Sequence, residues 1–383
     1  MNLTSGRPHL NNLVRIAPGA LELGRPLPWN VYDADGNVLL RQGYVIQTNS
    51  QLEQLFERGR FKPRKIERPQ EEIVEDNRER NPFADYPDLL QALEATLNAI
   101  TNADPSAQKQ LMGLTRIIER TCMESPDASL ALVHLYSLGP TIHEQILFYA
   151  ILCQFIARQF GLDESRISVL TAAALTANLA LAPVANQLNA SNKVLTPEQR
   201  GVIRKHPERS IQALRAAGID NKLMLTIIAQ HHEQADGSGY PEGLSGTGIR
   251  PEAEILALSE RYVAMITKRA YRNRMNVTDA RKMIATLADG KFRPAIPKAL
   301  LQVLGEYPPG TLVRLDNNEV AVITRRPVRA FGPFAKAILG PGGNRYSGTF
   351  ERDCSVPEFN IQALEEPEVM PSMDFSLIWN YRS

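Results

Sequence analysis

The sequence predicts a multidomain protein. An all-helical central domain lies between a small N-terminal β-rich (α/β) module and a small C-terminal β module. Three observations support this prediction. Apolar residues recur with the helical period almost throughout residues 89–304. On both sides of that stretch they alternate with a period of two, which is typical of strands. Residues 68–88 are polar, charged and punctuated by prolines, which predicts a linker between the first two parts.

The N-terminal module is predicted over residues 1–67. In "WNVYDADGNVLLRQGYVI", two alternating apolar runs flank Asp35-Gly36, and such a step between strands indicates a hairpin turn. A short helix is predicted to follow, with Thr48 or Ser50 as its cap and Gly59 at its end. The module is therefore expected to combine a small sheet with one helix.

Residues 89–304 are predicted to form eight to ten helices. The clearest signal is "TPEQRGVIRKHPERSIQALRAAG", in which Thr196 can cap a helix and Gln199 completes a capping box. Pro207 is expected to interrupt this helix, because proline lacks the N–H that a helix interior needs. Gly218 is expected to end the helix that follows.

The C-terminal module is predicted over residues 305–383. "TLVRLDNNEVAVITRRP" indicates a hairpin with Asn317-Asn318 at its turn. "AKAILG", "RYSGTF" and "DFSLIWNY" continue the alternating pattern. All three are therefore predicted as strands of the same small module.

Composition excludes several classes of function. The formal net charge is +1, with 43% hydrophobic and 22% charged residues, which argues against a dominant nucleic-acid-binding face. The most apolar run, "SVLTAAALTANLALAPVA", is broken by polar residues and a proline, so no membrane span is predicted. "MNLTSGRPHL" has no apolar signal core, and the three cysteines are far apart in the chain. A cytoplasmic protein with reduced thiols is expected.

Four of the six histidines form the main functional signal. His143 begins one apolar helical segment, His206 ends another, and His231 and His232 end a third. Neutral imidazoles that converge from three helices are suited to a transition-metal ion. The alternative is four unrelated core or surface histidines. The glycine-rich turn "DGSGYP", which follows the adjacent pair closely, favours the metal site because a helix has no need of it.

The stretch "HHEQADGSGYPEGLSGTGIRPEAEILALSERYVAMITKRAYR" resembles the HD-GYP domains. These domains are the metal-dependent, all-helical branch of the HD phosphohydrolases and hydrolyse the bacterial second messenger cyclic di-GMP. "LTPEQRGVIRKHPERS" is similar to a second segment of the same family. The resemblance extends over roughly residues 130–289. It implies an HD-GYP-like fold for the central domain, with a divalent transition metal (iron, manganese or zinc) or no cofactor at all.

The resemblance also implies roles for individual residues. Metal ligands would be His143, His206, His231, His232 and Glu260, the last standing where the family usually has aspartate. The nucleotide-binding set would be Asp236, Gly239, Tyr240, Pro241, Arg269 and Arg272, in which the two arginines match basic residues near the phosphates.

The chain departs from the family at its most characteristic place. The family's His-Asp pair falls on Ala177 and Asn178, and its lysine falls on Leu181. Alanine offers no lone pair, and a neutral amide cannot bridge two ions as a carboxylate does. No catalytic residue is therefore expected at these positions.

Three functions remain open on these grounds. The first is a catalytically impaired relative that acts in cyclic di-GMP signalling and binds the nucleotide, or binds a signalling protein through its Gly-Tyr-Pro face or its β modules. The second is an active, metal-dependent phosphodiesterase with a reduced metal site. The third is a pure protein-interaction scaffold. The loss of His-Asp favours the first and third, whereas the retained histidines favour the first and second, because a purely structural core would gain from apolar residues.

Overall fold

The computed structural model describes residues 13–16, 21, 23–61, 80–185, 196–268, 274–287, 290–328, 331–366 and 373–381. The chain divides into two compact units. The first consists of residues 1–91 together with 367–383, and the second of residues 92–366. The domain boundaries predicted from the sequence remain predictions.

The first unit contains a small antiparallel sheet. Its strands are β1 (Val14–Arg15), β2 (Val31–Tyr32), β3 (Val38–Leu40) and β4 (Arg60–Phe61), in the order β1-β4-β2-β3. The predicted hairpin is confirmed, because β2 pairs with β3 and Gly36 takes the left-handed backbone conformation at the turn. The predicted helix is also confirmed as α1 (Asn49–Arg58), and Thr48 accepts a hydrogen bond from the backbone N–H of Gln51.

The helices of the central region make up most of the second unit. Ten have both bounds within the described residues, beginning with one that the two units share: α2 (Pro82–Thr101), α3 (Ala107–Glu124), α4 (Pro126–Leu135), α5 (Ile142–Phe160), α6 (Glu164–Thr176), α7 (Pro197–Ala216), α8 (Lys222–Gln230), α9 (Pro251–Ile266), α10 (Val277–Leu287) and α11 (Ala295–Leu304). Residues 182–185 are helical as well, so the described part of the region is mainly helical, as predicted. The core forms around α5, which is buried along nearly its whole length and packs against α6, α9 and α11.

Pro207 does not interrupt its helix, so that prediction was wrong. Helix α7 continues through it to Ala216, and the capping box of Thr196 and Gln199 is present as expected. Proline removes the N–H that would have bonded the carbonyl of Ile203, four residues earlier. That carbonyl instead accepts a hydrogen bond from Nδ1 of His206 at 2.6 Å. A side chain thus replaces the missing main-chain donor, and His206 lies within a helix rather than at the end of one.

The C-terminal sheet belongs to the same compact unit as the helices. Its strands are β5 (Leu312–Leu315), β6 (Val320–Arg325), β7 (Phe334–Leu339), β8 (Arg345–Asp353) and β9 (Ile361–Leu364), all antiparallel in the order β8-β7-β6-β5-β9. The predicted hairpin is confirmed, with Asn318 in the left-handed conformation that asparagine tolerates. Strand β6 packs against α4, and Arg326 pairs with Asp127 at 2.5 Å.

Two further expectations need correction. "DFSLIWNY" was predicted as a strand, but it contains a short helix, α12 (Phe375–Ile378), because the Asp374 side chain accepts from the backbone N–H of Leu377 and starts a turn. Part of the predicted linker is also helical, since α2 begins at Pro82. Within the first unit, Phe83 at the start of α2 packs against Phe375 of α12.

No helix in the described part of the chain is both long and apolar enough to cross a membrane. The apolar run that contains Ala172 and Leu175 is instead the buried face of α6. Its small side chains allow close packing against α5.

Replacing Gly310 by alanine should destabilise the second unit. Gly310 has a φ of +88°, and an added Cβ would lie 2.7 Å from the Ala131 carbonyl oxygen of α4. Backbone strain and the clash together should lower the free energy of unfolding by about 1–3 kcal/mol, measured by denaturant or thermal unfolding. Gly201→Ala is the matched control, because this glycine is helical with nothing within 4 Å, so alanine should stabilise slightly. Equal effects of the two changes would contradict the close approach of Gly310 to α4.

Candidate metal and nucleotide site

Three histidines converge in the second unit. His206 lies on α7, and His231 and His232 directly follow the last residue of α8. Their candidate ligand atoms all lie within 4.8 Å of one another. His206 and His231 are buried, and His232 is half-buried. The convergence predicted from the sequence is therefore observed for these three residues, which we call the histidine cluster.

Main-chain carbonyls orient two of the three imidazoles. Nδ1 of His206 lies 2.6 Å from the Ile203 carbonyl oxygen, and Nδ1 of His231 lies 2.7 Å from that of Ile228. A carbonyl oxygen can only accept, so Nδ1 must carry the proton in both rings. The Ile228 carbonyl is available because it lies in the last turn of α8, where carbonyls lack helical partners. The Nε2 lone pairs are thereby directed into the cluster.

The two Nε2 atoms face each other at 3.3 Å. Burial lowers the pKa of His206 and of His231 to about 4, and the neighbouring His231 contributes to the shift at His206. Both rings are therefore neutral near pH 7, and two neutral lone pairs at this distance repel unless a cation lies between them. Two nitrogen ligands about 2.1 Å from a tetrahedral ion would be about 3.4 Å apart. The donor atoms and their spacing fit a transition-metal ion.

Glu260 on α9 lies beside the cluster but is engaged elsewhere. Its Oε1 atom is 4.0 Å from Nε2 of His231, and it accepts a hydrogen bond of 2.6 Å from the Nδ2 amide of Asn178. Burial raises the pKa of Glu260 to about 7, although the Asn178 bond opposes this shift. Glu260 thus carries only part of a negative charge at neutral pH, and one of its oxygens already has a donor.

The turn after α6 places Asn178 in this position. Ala177 is fully buried, and its carbonyl oxygen accepts from Oγ of Ser210 on α7 at 2.9 Å. The same Ser210 hydroxyl oxygen accepts from the backbone N–H of Ala180 at 3.1 Å. A single buried serine therefore fixes the turn on which the family's His-Asp pair would stand. Ser210 was not among the predicted site residues.

The remaining predicted metal ligand, His143, is the second residue of α5. Burial lowers its pKa, so it too is neutral near pH 7. In the described part of the chain, the group of ligand atoms that lie within 4.8 Å of one another includes neither His143 nor Glu260. The structure thus brings together three of the five predicted ligands at this distance.

The glycine-rich turn is organised by Glu233, which was also not among the predicted site residues. Its buried carboxylate accepts from the backbone N–H groups of Glu242 at 2.7 Å and Leu244 at 3.0 Å. Gly239 has no room for a side chain, because a Cβ there would lie 2.4 Å from the Cα of Glu233. An acidic residue directly after the histidine pair was the available signal for this role.

The predicted nucleotide-binding residues have different surroundings. Asp236 pairs with Lys291 and accepts from Ser238, and these contacts hold its pKa well below the usual range. The Tyr240 ring stacks on His232, with centroids 4.7 Å apart, and is joined to Pro241 by a cis peptide bond. Arg269 and Arg272 lie outside the described residues.

Comparisons with known proteins give the following relationships. Residues 116–296 match the family model HD_5, an HD domain. The chain is 28% identical to the cyclic di-GMP phosphodiesterase PA4108 of Pseudomonas aeruginosa, over 56% of this chain and 51% of that protein. It is 26% identical to the cyclic di-GMP phosphodiesterase PdeB of Borreliella burgdorferi, over 45% and 46% of the two proteins. The chain thus spans about half the length of these curated relatives.

One solved structure is also similar. It is Bd1817, an HDG"Y"P protein from Bdellovibrio bacteriovorus, which is 18% identical and aligns with a TM-score of 0.45. The alignment covers 76% of this chain and 99% of that one.

The histidine cluster should bind one transition-metal ion per chain. Purified protein loaded with zinc or manganese should hold about one equivalent by elemental analysis, and His206→Ala should lose it, because the cluster would retain only two imidazoles. His143→Ala is the matched control and should keep the ion. Two equivalents in the wild type, or loss of metal in His143→Ala alone, would contradict a three-histidine site.

Proposed function

Residues 116–296 are an HD domain of the HD-GYP-like type, and on this premise we propose that the protein acts in bacterial cyclic di-GMP signalling as a catalytically impaired phosphodiesterase relative. In this proposal it binds the nucleotide through the Gly-Tyr-Pro side of the domain, and a protein partner responds to the complex. The names of the relatives support the choice of nucleotide.

The hydrogen bond between Asn178 and Glu260 is the observation that carries the proposed impairment. A two-metal phosphodiesterase holds about four positive charges and uses a bridging carboxylate to set the distance between the ions. Asn178 stands where that carboxylate is expected, and it presents an amide donor to the one acidic side chain at a matched ligand position. The amide thus engages an oxygen of Glu260 without supplying the positive charge that a second ion would bring.

A single ion at the histidine cluster is compatible with this proposal. His206, His231 and His232 would hold it, and such an ion supplies Lewis-acid activation of water or of a phosphoryl oxygen. The chain's own contribution is to keep the three imidazoles neutral by burial, and to aim those of His206 and His231 inward with the Ile203 and Ile228 carbonyls. Loss of a neighbouring partner already costs metal sites about 10- to 100-fold in affinity or activity, and loss of a ligand pair should cost more.

The second candidate function is an active phosphodiesterase with a reduced metal site. The same histidine cluster favours it, because three converging imidazoles are retained. The two functions differ in one observable, which is turnover of cyclic di-GMP by the metal-loaded wild type.

The wild type, supplied with manganese, iron or zinc, should hydrolyse cyclic di-GMP at least about 100-fold more slowly than an intact family member in the same assay. Ala177→His, Asn178→Asp and Leu181→Lys together should restore metal binding and part of the activity. Ala177 is fully buried, so a histidine there should cost about 1–3 kcal/mol of stability through overpacking. Wild-type turnover comparable with that of the relatives, and abolished by His231→Ala, would instead establish the second candidate.

The single change Asn178→Asp adds the carboxylate charge without the larger side chain at position 177, so it tests the effect of charge alone. It places two carboxylates 2.6 Å apart where a donor and an acceptor now meet, so the metal-free variant should melt at a lower temperature than the wild type. Added zinc or manganese should raise its melting temperature more than that of the wild type, because the ion relieves the repulsion. Asn178→Ala removes the donor without adding charge and should show no such gain. Equal metal responses of the two variants would argue against a lost metal position at Asn178.

A further inference from the structure

We infer that Arg204 is a phosphate-binding residue of the nucleotide site and that Tyr240 is the residue that positions it. This inference rests on the proposed binding of cyclic di-GMP and adds a contact that neither the sequence motifs nor the comparisons assign. It is drawn from the arrangement of Arg204 and the rings of Tyr240 and His232 beside the other two histidines of the cluster.

Arg204 stands on α7, two residues before His206, with its side chain exposed. Its guanidinium carbon lies over the Tyr240 ring, 5.4 Å from the centroid. Tyr240 stacks in turn on His232, at an interplanar angle of 24°. The backbone N–H of Tyr240 also donates to the carbonyl oxygen of His232 at 3.2 Å. One tyrosine ring therefore joins the exposed cation to the buried cluster.

Arg204 differs from other arginines of the same unit in having no acidic partner. Arg166, Arg250 and Arg293 each lie within 4.0 Å of a buried glutamate on α9. Among the described residues, no carboxylate lies within that distance of Arg204. Its five N–H donors are therefore available to a ligand.

A phosphodiester is the ligand chemistry that this group fits. The planar guanidinium can donate two parallel hydrogen bonds to the oxygens of one phosphate, and each phosphodiester of a cyclic dinucleotide carries one negative charge. The contact with the Tyr240 ring restricts the long arginine side chain before the ligand arrives. Less conformational entropy is then lost on binding, which increases affinity.

An aromatic ring at position 240 is expected to matter for nucleotide binding. The ring touches His232 on the cluster and Arg204 on the surface. The rigid turn behind it, fixed by Glu233, keeps the ring in place. Phenylalanine should preserve the positioning of Arg204, whereas leucine should not, because it has no π face for a cation.

The test is isothermal titration of the full chain with cyclic di-GMP. Arg204→Ala should weaken binding about tenfold or more, as expected for loss of a charge-assisted hydrogen-bonded pair. Arg204→Lys should give an intermediate loss, since it keeps the charge but not the two-pronged geometry. Arg209→Ala is the matched control: it removes the same charge from an exposed position on α7, five residues along and therefore on a different face, and should change affinity less than about twofold.

Tyr240→Phe and Tyr240→Leu test the positioning role separately. Phe should bind like the wild type, and Leu should approach the affinity of Arg204→Ala. Combining Tyr240→Leu with Arg204→Ala should add little further loss, because both changes remove the same contact. Thermal melting of each variant confirms that the fold is retained.

The outcomes distinguish the inference from the function on which it rests. Wild-type binding with equal affinities for Arg204→Ala and Arg209→Ala would leave nucleotide binding intact and refute the role of Arg204, making it a solvated surface arginine. A folded wild type that binds no cyclic di-GMP would refute nucleotide binding, and the Arg204 contact with it. Full additivity of the two changes would refute the positioning role of Tyr240 alone.

Discussion

The direction of two imidazole rings is the constraint on which the rest of this site depends. His206 and His231 come from different helices, yet each directs Nε2 into the same small volume because Nδ1 donates to a nearby carbonyl. Neither carbonyl has a helical partner. Pro207 frees one by lacking an N–H, and the end of α8 frees the other. The cluster thus depends on two carbonyl groups that lack a helical hydrogen-bond partner, one within α7 and one in the last turn of α8.

The electrostatic balance of the site follows from that geometry. Neutral imidazoles bring lone pairs but no negative charge, so a carboxylate or a bound anion has to offset the charge of an ion held there. Glu260 is the nearest carboxylate to His231 among the described contacts, and the Asn178 amide already engages it. A burial-raised pKa of about 7 further reduces its charge at neutral pH. Among the described residues, the site therefore combines three converging imidazoles with a carboxylate that already accepts a hydrogen bond from an amide.

Local patterns predicted much of this fold and part of the site. The hairpins at Gly36 and Asn318, the capping box at Thr196 and the pairing of His231 with His232 at a helix end all depend on neighbouring residues, which a sequence displays directly. The helix break predicted at Pro207 was wrong because the His206 side chain donates to the carbonyl that the missing backbone N–H would have bonded. The strand predicted for "DFSLIWNY" was wrong because, over so few residues, alternating apolar residues are hard to distinguish from a one-turn helix capped by Asp374. Ser210 was missed because its partners are backbone groups, which leave no pattern in the sequence, whereas Glu233 was missed although an acidic residue directly after the histidine pair was a signal for it.

The position of Gly310 limits where the chain could be truncated without exposing buried residues. The main chain at Gly310, just before β5, passes close to the main chain of α4 at Ala131, and the side chain of His134 lies beside this contact. Nε2 of His134 contacts the hydroxyl of Tyr262, two residues after Glu260 on α9. A fragment that stopped at Leu304 would uncover this side of α4, leave Asp127 without Arg326 and expose the surroundings of the buried His134 to water. The sheet thus covers one side of α4, and a truncation that removes it should destabilise the helices as well.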